Sequence, residues 1–259
     1  VRITPGKNMS LKLSKFLFFF VLIFAPLAFG TTEPWSYTVM QTAVAVSLLL
    51  YMIASFQEKA TLYQVPGLIP AFLFLAYILV QLIPMPPGLI QLISPHAFDI
   101  HQASREITGA DAWMTISLHP RATLTQFFKY AAYACFYIVT VQLLSRKETL
   151  QAAAFTVVVF GGILAFSSIL QYYLTEDMAL WIRHTPRNSM VMGPYVNHNH
   201  YAGLMEMIFP ITLALFFFYR PRLGEGSMIR EIIEIFSQEK ANIHILIGTS
   251  ALLVIVSIF

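Results

Sequence analysis

Charge is scarce in this sequence. Asp, Glu, Lys and Arg make up only 11% of its 259 residues, against about 25% in a soluble globular domain. Cysteine is nearly absent too. Cys135 is the single one, which excludes a disulfide within the chain. It sits inside an apolar run, where a lone thiol serves as a small packing residue. Short segments of alternating polarity are missing, and this excludes a β-barrel. There is no phosphate-binding glycine loop and no dinucleotide fingerprint. A nucleophilic serine elbow and a Cys–His pair are also lacking. A nucleotide-driven cytosolic machine therefore has no support, no cofactor is expected, and nucleic acid is not an expected partner. Internal repeats and low-complexity linkers do not occur.

Long apolar runs take up most of the chain, which is 57% hydrophobic. They cover residues 16–29, 37–56, 68–83, 124–144, 150–174 and 201–219, and a last one begins at Ile243. Runs of this length with few charges predict membrane-crossing helices. The expected fold class is an all-α polytopic membrane protein with about seven transmembrane helices, organised as one transmembrane domain over residues 1–259. The first run is too aromatic for a removed signal peptide and lacks a small-residue cleavage site. Cations set its orientation. Lys7, Lys12 and Lys15 precede the first run, Lys59 follows the second, Arg146 and Lys147 follow the fourth, and Arg220 and Arg222 follow the sixth. By the positive-inside rule all of these turns are cytoplasmic. Two polar loops then fall outside, Pro84 to Pro120 and Thr175 to Asn199. In the first, Leu89, Ile90 and Ile93 have helical spacing and are expected to lie on the membrane surface. A second amphipathic helix is expected over 229–236, with Ile229, Ile232, Ile233 and Phe236 on one face.

One stretch stands out, Gly193-Pro-Tyr-Val-Asn-His-Asn-His-Tyr-Ala-Gly-Leu-Met-Glu206. It gathers two asparagines, two histidines, a glutamate and two tyrosines at the mouth of an apolar run. Asn197 and Asn199 suit a helix N-cap, but one cap does not explain both. The helix start presents free N–H groups and the positive end of its dipole, which favours an anion. Just upstream, Arg183 and Arg187 flank His184, and two guanidinium groups can grip a phosphate or pyrophosphate bidentately. The plainer reading of these arginines is a solvated or lipid-binding loop. His198 and His200 are two apart at helix entry and point to different sides, so no metal is expected. Glu206 lies about two turns into the run. An intramembrane acid is costly and is either functional or paired within the bundle.

The stretch resembles the signature of the O-antigen ligase and polymerase family of bacterial envelopes. The resemblance rests on Gly193, Asn197, Asn199, His200, Tyr201, Ala202 and Gly203. Three further stretches are similar to that family: Pro26 to Gly30 with Glu33-Pro-Trp35, Pro84 to Gly88 with Ser94-Pro95, and Ser117 to Thr123. The resemblance implies a membrane glycosyltransferase on the outer face of the bacterial inner membrane. Such an enzyme moves a glycan from undecaprenyl pyrophosphate to an acceptor hydroxyl, on lipid A-core or a growing glycan, within the lipid bilayer. Arg183, Arg187, Asn197, Asn199, His200 and Glu206 are then the expected substrate-binding residues. The family's basic histidine belongs to a later outer loop, so no catalytic residue is assigned. The last apolar run reaches Phe259 with no polar exit, so the expectation is an N-terminal fragment, inactive by itself. Val1 to Asn8 read as a tail ahead of Met9. The other class consistent with these features is a transporter or flippase for a lipid-linked or sugar substrate.

Overall fold

The computed structural model describes residues 8–58, 62–108, 113–174, 178–179, 182–184, 191–219 and 239–258. Nine α-helices follow one another among the described residues: α1 (Met9–Leu27), α2 (Pro34–Gln57), α3 (Leu68–Val80), α4 (Pro87–Ile93), α5 (Pro95–Thr108), α6 (Pro120–Leu144), α7 (Lys147–Leu174), α8 (His198–Phe218) and α9 (Glu239–Val256). A one-turn 3₁₀ helix, Phe29–Thr31, separates α1 from α2. Proline opens α2, α4, α5 and α6. At the first helical position its missing N–H costs nothing and its φ is already helical.

The chain is an all-α polytopic membrane protein. Helices α1, α2, α6, α7 and α8 are long and apolar enough to cross a bilayer, and α3 and the Ile243–Val256 part of α9 are shorter apolar helices. These seven correspond to the seven apolar runs. Helix α3 has 13 residues, about 20 Å at 1.5 Å per residue, short of a hydrocarbon core of about 30 Å. It ends before its apolar run does. Pro84 has no N–H for the Val80 carbonyl, and the chain tightens ahead of it into i→i+3 bonds, Leu82 to Leu79 and Ile83 to Val80. The amphipathic helix expected over 229–236 lies outside the described residues, as do Lys7, Lys59, Arg220 and Arg222.

The chain divides into two compact units. The first comprises Val1–Ser14 and Gln41–Gln142. Asn8 caps α1, its Oδ1 accepting from the Ser10 N–H at 3.0 Å. Ser14 on α1 and Ser47 on α2 are both buried and exchange hydroxyl-to-carbonyl bonds of 2.8 and 3.0 Å. Such interhelical bonds hold apolar helices together where water does not compete. The Gln142 amide grips the backbone of Tyr63 from both sides, accepting from its N–H at 3.0 Å and donating to its carbonyl at 2.7 Å.

The loop expected to be polar and watery in this unit is a built structure. Met85 and Met114 pair as an antiparallel bridge, and the Ser117 N–H donates to the Gln81 carbonyl. Ser117 Oγ accepts from the His119 N–H and meets Thr123 Oγ1 at 2.7 Å, organising the entry to α6. The expectation for α4 needs correction at one residue. Ile90 does not face a membrane surface: it is fully buried against Ala97 and Met114. Leu89, Leu92 and Ile93 are exposed. The reason is that α5 packs against α4 and, with Met114, covers Ile90 while its neighbours stay outside.

The second unit comprises Lys15–Met40 and Leu143–Phe259. Its core joins α7, α8 and α9 through Leu164, Ala165, Tyr201, Met205, Ile208 and Val254. Small residues set the spacing. A Cβ on Gly161 would come within 2.7 Å of Ile208 Cγ2, and one on Gly162 within 2.5 Å of Ser250 Oγ. A two-residue antiparallel ladder, β1 (Met178–Ala179) with β2 (Arg183–His184), lies between α7 and α8 in the sequence.

Candidate functional site

The site is built on the turn that leads into α8. The Tyr195 N–H donates to the Met192 carbonyl at 3.0 Å, and Gly193 inside this turn has φ +54°. That is a left-handed conformation which side chains disfavour. Space demands glycine as well: a Cβ here would stand 2.5 Å from Tyr201 Cδ2 and 2.9 Å from Ser168 Oγ. Tyr201 is 1% exposed. Its hydroxyl lies beside those of Ser168 and Ser257, short of full hydrogen-bond geometry with either. Both serines already donate to carbonyls of their own helices, Leu164 and Val254. Each keeps lone pairs that a tyrosine hydroxyl can donate to. Tyr201 is thus a polar pin between α7, α8 and the end of α9.

Tyr195 meets a second unusual turn. Phe29, Gly30 and Thr31 all have positive φ, 55°, 68° and 54°. For Phe29 and Thr31 that costs about 1–2 kcal/mol each. The Tyr195 ring covers this turn so closely that a Cβ on Gly30 would lie 2.6 Å from its Cε1. Burial raises the Tyr195 phenol above its ordinary pKa of 10.0. The His200 ring stands beside Tyr195, centroids 6.5 Å apart.

The two asparagines separate into distinct roles. Asn197 is the N-cap of α8, with extended φ and ψ, and its side chain accepts from the Asn199 N–H at 2.9 Å. The Asn197 carbonyl also accepts from the His200 N–H. Asn199 and His200 are exposed, and His198 is half-buried. A cap accounts for Asn197, while the side chains of Asn199 and His200 point away from the core and are open to a ligand.

Glu206 is exposed on α8, between the buried Met205 and Ile208. Among the described residues it has no hydrogen-bonding or ionic partner. Pro210 lies inside the same helix and has no N–H to give the Glu206 carbonyl. Carboxylate and freed carbonyl therefore occupy one level of α8. Arg183 lies in β2 opposite Ala179. Arg187, with Glu176 and Asp177, lies outside the described residues. Among the described residues no group of three His, Cys, Asp or Glu gathers to hold a metal.

Sequence reasoning missed the 3₁₀ turn at Phe29–Thr31, the Tyr195 lid and the Ser168–Tyr201–Ser257 cluster. Gly30 and Gly193, each beside an aromatic or proline, were the available signals. Their meaning depends on partners far along the chain. No family model, curated protein or solved structure matches this chain.

Proposed function

We propose that this protein serves envelope polysaccharide synthesis as an O-antigen ligase- or polymerase-type glycosyltransferase. The reaction passes a glycan from undecaprenyl pyrophosphate to a hydroxyl of lipid A-core or of a growing glycan, on the periplasmic face of the bacterial inner membrane. One observation carries the reading. The four stretches similar to that family lie in two neighbouring pairs. Gly30 of the first lies under Tyr195 of the last, and the Pro84–Gly88 segment, together with the residues flanking it, bonds to the chain that leads into Ser117–Thr123. Motifs scattered by chance along a membrane chain have no reason to fall side by side.

The chemistry suits the exposed groups. Pyrophosphate leaves readily, so the protein needs cations and N–H donors for the departing charge and a base for the attacking hydroxyl. Arg183 and Arg187 supply the cations, Asn199 and His200 at the start of α8 contact the donor, and Asn197 holds the helix end in place. Glu206 is the remaining substrate-facing group. In cells expressing the variants from the native gene, Arg187→Ala and His200→Ala are expected to abolish surface-glycan ladders with membrane insertion intact. Asn197→Ala is expected to cost about 1 kcal/mol of stability, with Asn197→Asp restoring it. Normal ladders from Arg187→Ala and His200→Ala together would overturn the assignment.

Glu206, an unpartnered carboxylate within a crossing helix, favours a second reading, a transporter or flippase of a lipid-linked or sugar substrate. Purified protein in vesicles separates the two. A transferase joins glycan to acceptor without moving it across the bilayer; a flippase does the reverse, and Glu206→Gln stops it.

A further inference from the structure

The seven apolar runs together hold one lysine and one glutamate, and no other Asp, Glu, Lys or Arg. Lys129 lies five residues into the run 124–144, and Glu206 lies five residues into the run 201–219. A single crossing helix, α7, separates α6 from α8 in the chain. Helices α6 and α8 therefore cross in the same direction and begin on the same side. At 1.5 Å per residue each charge sits about 8 Å below the polar end of its run. Opposite charges thus occupy one layer of the membrane.

Both side chains are exposed. Among the described residues neither meets a group of opposite charge. The Lys129 ammonium stands 6.0 Å from the Tyr133 ring, one turn further along α6. A charge that faces hydrocarbon is costly. Lys129 alone could reach the headgroups along its own stem. The shorter Glu206 side chain has no such reach, and its relief has to come from a cation in the same layer.

We propose that these two faces bind a second copy of this chain, with Lys129 of one copy paired to Glu206 of the other inside the membrane. Charge complementarity selects this occupant. A lipid phosphate would answer Lys129 and leave Glu206 bare, whereas a second copy answers both. Shape agrees at the same register. Aligning the two charges sets Gln126 beside Gly203 and Tyr133 beside Pro210. Gly203 has open space where a Cβ would point, Pro210 is exposed, and Tyr133 is 48% exposed. Large side chains laid on small ones let membrane helices approach closely. Asn199 stands seven residues before Glu206, two turns up on the same face. The second copy therefore brings a cation to the side of α8 that carries Asn199. That last consequence rests on the proposed role of Asn199; the association does not.

The test coexpresses two differently tagged copies of the full chain and measures how much of one tag is retained with the other. The wild type is expected to co-purify. Lys129→Gln or Glu206→Gln in both copies is expected to lower retention about five- to tenfold, and Lys129→Arg to keep it. The exchanged chain, Lys129→Glu with Glu206→Lys, is expected to regain it. A disulfide reports the same contact with the charges intact. On a Cys135→Ser background, Gln126→Cys in one tagged copy and Gly203→Cys in the other are expected to link on oxidation, and adding Glu206→Gln is expected to suppress the link. Equal retention in wild type and both Gln variants would overturn the proposal, as would a wild type that runs as a single copy and forms no link. A single-copy wild type that retains an anionic lipid which Lys129→Gln loses would overturn the second copy and give the lysine to lipid. Should a charge variant fail to insert, the disulfide between the unaltered charges decides. Retention of a tag does not depend on glycan transfer, so the association and the glycosyltransferase reading fail separately.

Discussion

Alanine at position 193 would need both a left-handed backbone and room for a methyl group that Tyr201 and Ser168 already occupy. Three glycines separate these causes. Gly193 has positive φ and a crowded Cβ direction, Gly67 has φ +70° with open space, and Gly88 has open space alone. Gly193→Ala is expected to cost about 2–4 kcal/mol, Gly67→Ala about 1–2, and Gly88→Ala nothing measurable. Thermal unfolding midpoints in detergent would rank them, and equal midpoints for 193 and 67 would remove the packing argument. Tyr195 gives a pH dependence of definite sign. Its folded pKa is raised by burial, so its share of stability is full below its ordinary value of 10.0 and is lost as pH rises through the raised value. Stability is expected to fall above about pH 10 in the wild type, and the fall is expected to be shallower in Tyr195→Phe. At this scale the sequence was only partly legible. Asn197 and Asn199 look alike on paper, and only the bond from the Asn199 N–H to Asn197 Oδ1 shows which one caps the helix.

Helices α7, α8 and α9 are apolar around much of their circumference, so hydropathy does not say which faces meet. The contact is set where side chains are smallest. Gly161 lies against Ile208, and Gly162 against Ser250. In a membrane the hydrophobic effect does not drive helices together, and close packing must. Gly161→Ala is expected to destabilise by about 1–3 kcal/mol through overpacking. Ile208→Ala is expected to cost about 2–5 kcal/mol through the cavity it leaves. The double variant should be less damaged than the sum, because the new methyl enters the space that Ile208 vacates. Unfolding midpoints of the four proteins give the coupling directly. Strict additivity would mean that the two residues do not share that space. Helix α4 shows the opposite limit of pattern reading. Leu89, Ile90 and Ile93 form one stripe in sequence, yet Ile90 is core and the others are surface, because α5 covers only part of α4.

For the whole molecule the solvent is the argument. Phe72, Leu73, Tyr77, Ile163, Phe217 and Leu252 are all more than half exposed on apolar helices, an arrangement that water would punish and hydrocarbon does not. The positive-inside rule predicts from the cations which side of the membrane each turn reaches. The chain has one cysteine, so Cys135→Ser gives a clean background for labelling. With an impermeant maleimide on intact cells, Gln102→Cys in α5 is expected to react, and Lys147→Cys is expected to react only after the membrane is opened. Labelling of Lys147→Cys in intact cells would reverse the orientation.

Hydropathy is a local property, summed along some twenty residues, and it alone determined the seven apolar helices and the membrane class. Proline at a first helical turn is equally local, and it marked where several of them begin. The tertiary structure decided everything that depends on residues far apart in the chain. It put Gly30 under Tyr195 and Gly193 under Tyr201. It also turned Ile90 inward and left Glu206 outward. Contacts of this kind arise from the way helices pack in three dimensions, and a linear pattern carries no record of which helix will lie against which.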